Sequence, residues 1–147
     1  MSKTRWIRWD DEERFKLEFG ARNNNWKSVE LTEELIEKME EDHYEVVSGM
    51  YLSEVEDGIY DLAGEGDYPA YPILEPKTQF DNLGAGQLTV SVGSVPAFTK
   101  EFEGTPEQGD YLRTSEDAIL EVTEDQDEAI ARCLGNQGDY IKIQKLI

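Results

Sequence analysis

The sequence predicts a mainly β protein of the α+β class. Its C-terminal part should form a small antiparallel β-barrel or sandwich with one short helix, preceded by a smaller subdomain of a β-hairpin and a helix. Residues 85–147 contain short β-favouring runs at roughly ten-residue spacing, which is typical of such folds. The tripeptide Gly-Asp-Tyr also occurs three times, at 66–68, 109–111 and 138–140. In the last two copies an aliphatic residue follows, as expected for a turn that begins a strand.

The C-terminal strands are predicted from alternation of apolar and polar residues. Leu88–Val92 alternates strictly, and the last eight residues alternate until the final two. The repeated turns predict that Tyr111 and Tyr140 occupy equivalent places at strand starts, with largely buried rings. Residues 125–134 are predicted to form the short helix, because acids precede Arg132 and a glycine follows.

The N-terminal part is predicted to contain a hairpin and a helix. Arg14–Gly20 alternates charged and apolar residues, and Trp26–Val29 is expected to pair back onto it across three asparagines. Thr32 is the predicted helix N-cap, and the helix should fade near Asp42. Its buried stripe should include Leu35, Ile36 and Met39, whereas its glutamates are interpreted as a solvated face.

Glycines and prolines divide the chain. The predicted division is an N-terminal subdomain (1–62), an extended Pro/Gly-rich linker (63–84) and a β-barrel domain (85–147). Prolines favour extended backbone and remove hydrogen-bond donors. A link of this length inside a compact protein is unusual, so we expect it to lie against a neighbour or to carry a function.

The charge of the chain excludes some functions. The 147 residues carry a formal net charge of −19. Residues 1–28 are net +2, residues 29–67 net −13 and residues 68–147 net −8. Such a field repels nucleic acid, because binding a phosphate backbone requires lysine and arginine. A basic partner, or solubility at high local concentration, fits better.

Neither a secretory signal nor a membrane span is predicted, since no apolar run approaches the required length. The single cysteine excludes an intramolecular disulfide and a four-cysteine zinc site. The sequence therefore predicts a soluble chain in the cytosol, or in something assembled there.

No enzyme activity, metal site or cofactor is predicted. The only histidine, His43, borders the acidic helix, and nothing nearby supports a dyad with Cys133, which is expected to be a small buried side chain. Asp125-Gln126-Asp127 resembles the start of a calcium loop, but Ile130 replaces the required glycine and no suitable closing acid follows. A hydrolytic site made of two carboxylates remains an open alternative in a chain this acidic, although no specific sequence signal indicates one.

Two segments are candidate docking elements. Arg5-Trp6-Ile7-Arg8-Trp9 combines aromatic and basic residues, which either plug the end of a core or anchor a partner interface. The linker adds apolar side chains on extended backbone. The predicted partner-binding residues are Trp6, Ile7, Trp9, Tyr68, Tyr71, Ile73, Leu74 and Phe80.

About sixty C-terminal residues resemble bacteriophage decoration, or cement, proteins that stabilise a capsid. The resemblance lies in the alternating strand Leu88–Val92, the Gly-Asp-Tyr-Leu strand entry, the stretch Ala129–Gly135 and the closing strand Gly138–Ile143. It implies a non-enzymatic viral structural protein that binds the major capsid protein on the virion surface after assembly in the host cytoplasm. It also implies self-association, often as a trimer.

The alternative function is an acidic inhibitor that mimics nucleic acid and binds a basic host protein through residues 29–67. The two hypotheses differ in the residues that make contact. A decoration protein would use the aromatic and extended segments, whereas a mimic would use the acidic helix.

Overall fold

The computed structural model describes residues 18–19, 25–41, 46, 49–73, 87–94 and 96–147. As predicted, the described chain is mainly β, with two sheets and a single α-helix. One sheet contains six strands and the other contains five.

The six-stranded sheet is antiparallel in every described pairing. Its strands are β1 Glu18–Phe19, β7 Pro96–Thr99, β8 Tyr111–Thr114, β9 Leu120–Thr123, β10 Ala131–Asn136 and β11 Ile141–Lys145. They lie in the order β1-β7-β11-β10-β8-β9, and all except β1 come from the C-terminal half of the chain.

The five-stranded sheet curls towards closure. Its strands are β2 Asn25–Leu31, β3 Tyr51–Glu56, β4 Ile59–Leu62, β5 Tyr71–Pro72 and β6 Gln87–Val92. They lie in the order β5-β3-β4-β2-β6. Strands β2 and β4 are parallel and the other pairs antiparallel. A bridge between Ile73 and Val90 joins the two ends of the sheet, so β5 and β6 meet. The hairpin of β3 and β4 turns at Asp57-Gly58, a residue pair that favours tight turns between strands.

The predicted N-terminal hairpin is wrong. Strand β2 pairs with β6 and β4, whereas β1 pairs with β7 in the other sheet. The alternation of Arg14–Gly20 indicates a strand but does not select its neighbour, and β7 and β6 offer longer-range partners. The division at 63–84 stays a prediction. However, each sheet contains one strand from the other side of that division.

Helix α1 (Glu33–Glu41) forms where the sequence predicts it. The Thr32 hydroxyl accepts the N–H of Leu35 at 3.2 Å, which satisfies one of the free donors of the first turn. Leu35 and Met39 are buried, while Ile36 is half-buried beside them. The helix therefore packs one apolar stripe onto the five-stranded sheet.

The predicted helix at 125–134 is wrong. Only a single 3-10 turn forms, at Gln126–Glu128, and Asp125 caps it by accepting the N–H of Asp127 at 2.9 Å. The chain then enters β10, which lies between β11 and β8. Hydrogen bonding to strands on both sides outweighs a weak helix propensity in so short a segment. Cys133 lies in β10 and is buried, as predicted.

The Gly-Asp-Tyr turns have the predicted left-handed glycines, with φ of +74° at Gly66, +98° at Gly109 and +93° at Gly138. In the first two copies the aspartate carboxylate accepts the N–H of the residue three positions earlier, at 2.7 Å for Asp67 and 2.8 Å for Asp110. These two copies therefore form the same turn.

The third copy forms its turn differently. The side chain of Asn136 accepts the N–H of Gly138 at 2.7 Å. Tyr111 starts β8, and Tyr140 immediately precedes β11, so both tyrosines stand at strand starts as predicted. Both residues are only half-buried, less than predicted. Arg132 lies over the Tyr111 ring, and Phe98 packs edge-on against the Tyr140 ring.

Two apolar clusters form the core. One lies within the six-stranded sheet and includes Leu112, Ile130 and Ile141. The other joins α1 to the five-stranded sheet. Tyr51 of β3 belongs to the first cluster, and its N–H donates to the carbonyl of Ala118 at 2.8 Å. Side chains from one sheet thus complete the core of the other.

Candidate interaction surfaces

The structure places only part of the predicted docking set. Tyr68 is exposed at 54%, Tyr71 is half-buried in β5 and Ile73 is fully buried. Ile73 therefore contributes to the core and is not available as a contact in this conformation. Five other predicted residues lie outside the described chain: Trp6, Ile7, Trp9, Leu74 and Phe80.

Tyr68 is displayed by an anchored loop between β4 and β5, residues 63–70, which we call the Tyr68 loop. The carboxylate of Asp67 accepts both the N–H of Gly64 at 2.7 Å and the hydroxyl of Ser53 at 2.9 Å. The Thr114 hydroxyl donates to the carbonyl of Gly64 at 2.6 Å, which ties the loop to β8. The peptide bond after Tyr68 is cis. An aromatic ring is therefore held in solvent on backbone that is fixed to both sheets.

Tyr71 is covered by a cation instead. The ammonium group of Lys27 in β2 lies 5.0 Å from the Tyr71 ring centroid and 5.4 Å from that of Tyr60. Its Nζ also donates to the Tyr60 hydroxyl at 3.2 Å. Such cation–π contacts are stabilising within about 6 Å of a ring. Tyr71 is thereby engaged within the sheet and is a poorer docking side chain than Tyr68.

Arg113 organises the acids around β8. Its guanidinium donates to Glu121 at 2.7 Å and to Glu128 at 2.8 Å, and Glu65 lies at 3.5 Å. The two short bonds raise the pKa of Arg113 further above its usual value, with that to Glu128 contributing most. Gly66 lies close by, since a Cβ there would come within 2.7 Å of a Glu128 oxygen. The cluster joins the Tyr68 loop, β9 and the 3-10 turn, so its first role is structural.

The acidic face of α1 is displayed to solvent, as predicted. The exposed carboxylates of this helix belong to Glu33, Glu34, Glu37, Glu40 and Glu41. Lys38 is the only basic residue in its last turn. The tip of the β3–β4 hairpin exposes further acids at Glu54, Glu56 and Asp57. This part of the surface is strongly negative.

Buried polar groups lie within the core. Lys145 of β11 is 1% exposed, and its Nζ donates to the hydroxyl of Ser91 in β6 at 2.8 Å. Burial lowers the Lys145 pKa from 10.5 to about 7. Burial also raises the pKa of the Tyr51 hydroxyl and of the Cys133 thiol. A buried thiol with a raised pKa is a poor nucleophile, which agrees with the packing role expected of Cys133.

Within the described ranges, no group of three or more potential ligands is placed to hold a metal ion. His43, the only histidine, lies outside those ranges. No described helix is long and apolar enough to cross a membrane. Comparison with models of protein families, with curated proteins and with solved structures gave no match.

Sequence reasoning missed two organising residues, Arg113 and Lys145. Arg113 is a lone cation in an apolar and acidic stretch, whereas Lys145 shares the terminal strand with Lys142. Both residues sit at positions that alternation assigns to a strand. In the terminal strand, Ile141, Ile143 and Lys145 share one face, so the pattern placed Lys145 towards the core. That inward position was the signal that could have identified it.

Proposed function

We propose that the protein is a non-enzymatic structural protein that binds and stabilises a phage capsid surface as a decoration protein. The observation that carries this proposal is the contrast between an acidic two-sheet body and an exposed aromatic, Tyr68, on an anchored loop. The basic aromatic segment Arg5–Trp9 supplies a second anchor in the sequence. Tyrosine, tryptophan and arginine are the side chains most often found as interface hot spots.

The shape of the Tyr68 loop supports docking by a preformed element. Hydrogen bonds from Ser53 and Thr114 fix the loop before a partner arrives, so little conformational entropy is lost on binding. The major capsid protein is the proposed partner, with self-association of the decoration protein on the lattice. The exposed acids of α1 would then face solvent and oppose aggregation before assembly.

Co-sedimentation with empty shells of the phage that encodes the chain tests this function. We expect the chain to pellet with the shells and the double variant Trp6→Ala, Trp9→Ala to pellet far less, since a buried tryptophan anchor is worth about 2 kcal/mol or more. Tyr68→Ala should also weaken binding. The triple variant Glu37→Gln, Glu40→Gln, Glu41→Gln is the control and should pellet like the native chain.

The second candidate function is the nucleic-acid mimic. The observation that favours it is the row of exposed carboxylates on α1, which repeats at each turn of about 5.4 Å. Under this function, the Gln triple variant should lose binding to a basic DNA-binding protein, whereas the tryptophan pair should keep it. That pattern, with no pelleting on shells, would replace the decoration proposal.

A further inference from the structure

Strand β9 has one occupied and one partly open edge. It is the last strand of its sheet and pairs on its inner side with β8. On the outer side, the N–H of Leu120 donates to the carbonyl of Glu101 at 3.1 Å, and the carbonyl of Leu120 accepts the N–H of Glu103 at 2.9 Å. Residues 101–103 thus run alongside the start of β9, in parallel orientation.

The outer edge opens at Val122. Backbone groups alternate between the two edges of a strand, so the N–H and carbonyl of Val122 point outwards like those of Leu120. Gly104, with φ of +75°, turns the chain away before it can continue along β9. Among the described residues, no backbone hydrogen bond reaches Val122 from that side. Its side chain is 42% exposed.

Acidic side chains surround this opening. Glu103 lies beside it, Glu124 follows the strand, and Glu116 and Asp117 precede it. Glu121 lies close to Glu103, and desolvation together with Glu121, Asp117 and Glu116 raises the Glu103 pKa. Arg113, the cation on the adjacent strand, is already bound to carboxylates. Charge complementarity therefore favours a basic partner at this edge.

We propose that the outer edge of β9 binds an extended, lysine- or arginine-bearing segment of a partner protein, which adds to the sheet as a further strand. The segment would take the place along β9 that the chain leaves at Gly104. Val122 would supply two main-chain hydrogen bonds and an apolar contact, and the surrounding carboxylates would select basic side chains. Strand addition of this kind derives affinity from backbone bonds and specificity from alternate side chains. The proposal goes beyond the proposed function and does not depend on it.

Titration of the full chain with a nine-residue synthetic peptide of alternating lysine and valine tests the proposal. We expect saturable binding that weakens as salt is raised, and slower hydrogen exchange of the Val122 amide at saturation. A peptide with glutamate in place of lysine should not bind.

Two matched variants separate strand addition from diffuse charge attraction. Val122→Pro removes an outward N–H. An edge strand tolerates proline at such a position, and the variant should weaken peptide binding roughly tenfold. Val122→Thr keeps the N–H and changes only the side chain, so it should weaken binding less than Val122→Pro does. Circular dichroism should show that both variants are folded.

Three results would overturn the proposal. Native affinity in Val122→Pro would mean that the peptide is held by general charge. Unchanged exchange of the Val122 amide at saturation would place the peptide elsewhere. Protection of that amide in the free protein, increasing with protein concentration, would show that a second copy of the chain occupies the edge.

Discussion

Replacing Lys145 with methionine should stabilise the fold at neutral pH and remove a pH dependence expected of the native chain. Lys145 lies 1% exposed between the two sheets and donates to Ser91 at 2.8 Å. Methionine has a similar length and flexibility and no charge to desolvate. It should therefore fill the same space without the cost of burying an ammonium group.

The magnitude follows from the lowered pKa. Burial lowers the Lys145 pKa from 10.5 to about 7, and each unit corresponds to about 1.4 kcal/mol. At pH 7 the charged form therefore costs the fold up to about 4 kcal/mol. Loss of the bond to Ser91 offsets roughly half of this, because bonds to charged groups contribute about 1.5–3 kcal/mol. We expect Lys145→Met to be more stable than the native chain by roughly 2 kcal/mol at pH 7.

The sign of the pH dependence follows from proton linkage. Above pH 7 the folded chain releases the Lys145 proton while the unfolded chain retains it to 10.5, so the unfolded state binds more protons. The stability of the native chain should therefore rise between pH 7 and pH 9, by about 2 kcal/mol. The destabilisation caused by the buried ammonium group is fully present below pH 7, where Lys145 is protonated in both the folded and the unfolded chain.

Urea unfolding of the native chain and Lys145→Met at pH 7 and pH 9 measures both effects. The advantage of the variant should largely disappear at pH 9. Lys142→Met is the control, because Lys142 is exposed on the same strand and its loss leaves the buried ammonium group of Lys145 in place. If Lys145→Met retains the native rise in stability between pH 7 and pH 9, the buried ammonium is not its source and the reasoning fails.

Three further changes test other parts of the fold. Tyr51→Phe should raise the free energy of unfolding by about 1 kcal/mol, because the buried Tyr51 hydroxyl has no hydrogen-bond partner among the described residues. A destabilised variant would show that the hydroxyl has a partner. Arg113→Ala should lower the urea midpoint more strongly at low salt than at ~0.5 M salt, because three carboxylates lose their shared cation. An equal loss at the two salt concentrations would argue against an electrostatic cause. Tyr140→Ala should lower the free energy of unfolding by about 1–2 kcal/mol, measured by thermal unfolding. This is less than the ~3 kcal/mol typical of a fully buried aromatic, because Tyr140 is half-buried. A larger loss would show that the ring is packed as the sequence predicts.

Local features of the fold could be predicted from the sequence, because they depend on neighbouring residues. Thr32 caps α1 through a bond within one helical turn. Asp57-Gly58 closes the β3–β4 hairpin, and the glycines of the Gly-Asp-Tyr turns adopt the left-handed conformation. In each case a short stretch of residues fixes the backbone dihedral angles. The mainly β class follows from the same local signals.

The choice of strand partners was decided by tertiary structure. The alternation in Leu88–Val92 identifies a strand, but pairing with β2 depends on residues about sixty positions away. Residues 131–136 could have continued a helix, and they form β10 because β8 and β11 provide hydrogen bonds on both sides. Hydrogen bonds between strands and buried apolar area are gained only when distant segments meet. Composition and residue spacing therefore cannot decide which strand pairs with which.

The same reason limits what the sequence reveals about the candidate surfaces. The acidic face of α1 was predictable, since helical periodicity separates it from Leu35 and Met39. The burial of Ile73 depends on a bridge to Val90. The opening at Val122 depends on where residues 101–103 leave β9. Whether a strand edge is covered or free is a property of distant neighbours, and only the assembled sheets determine it.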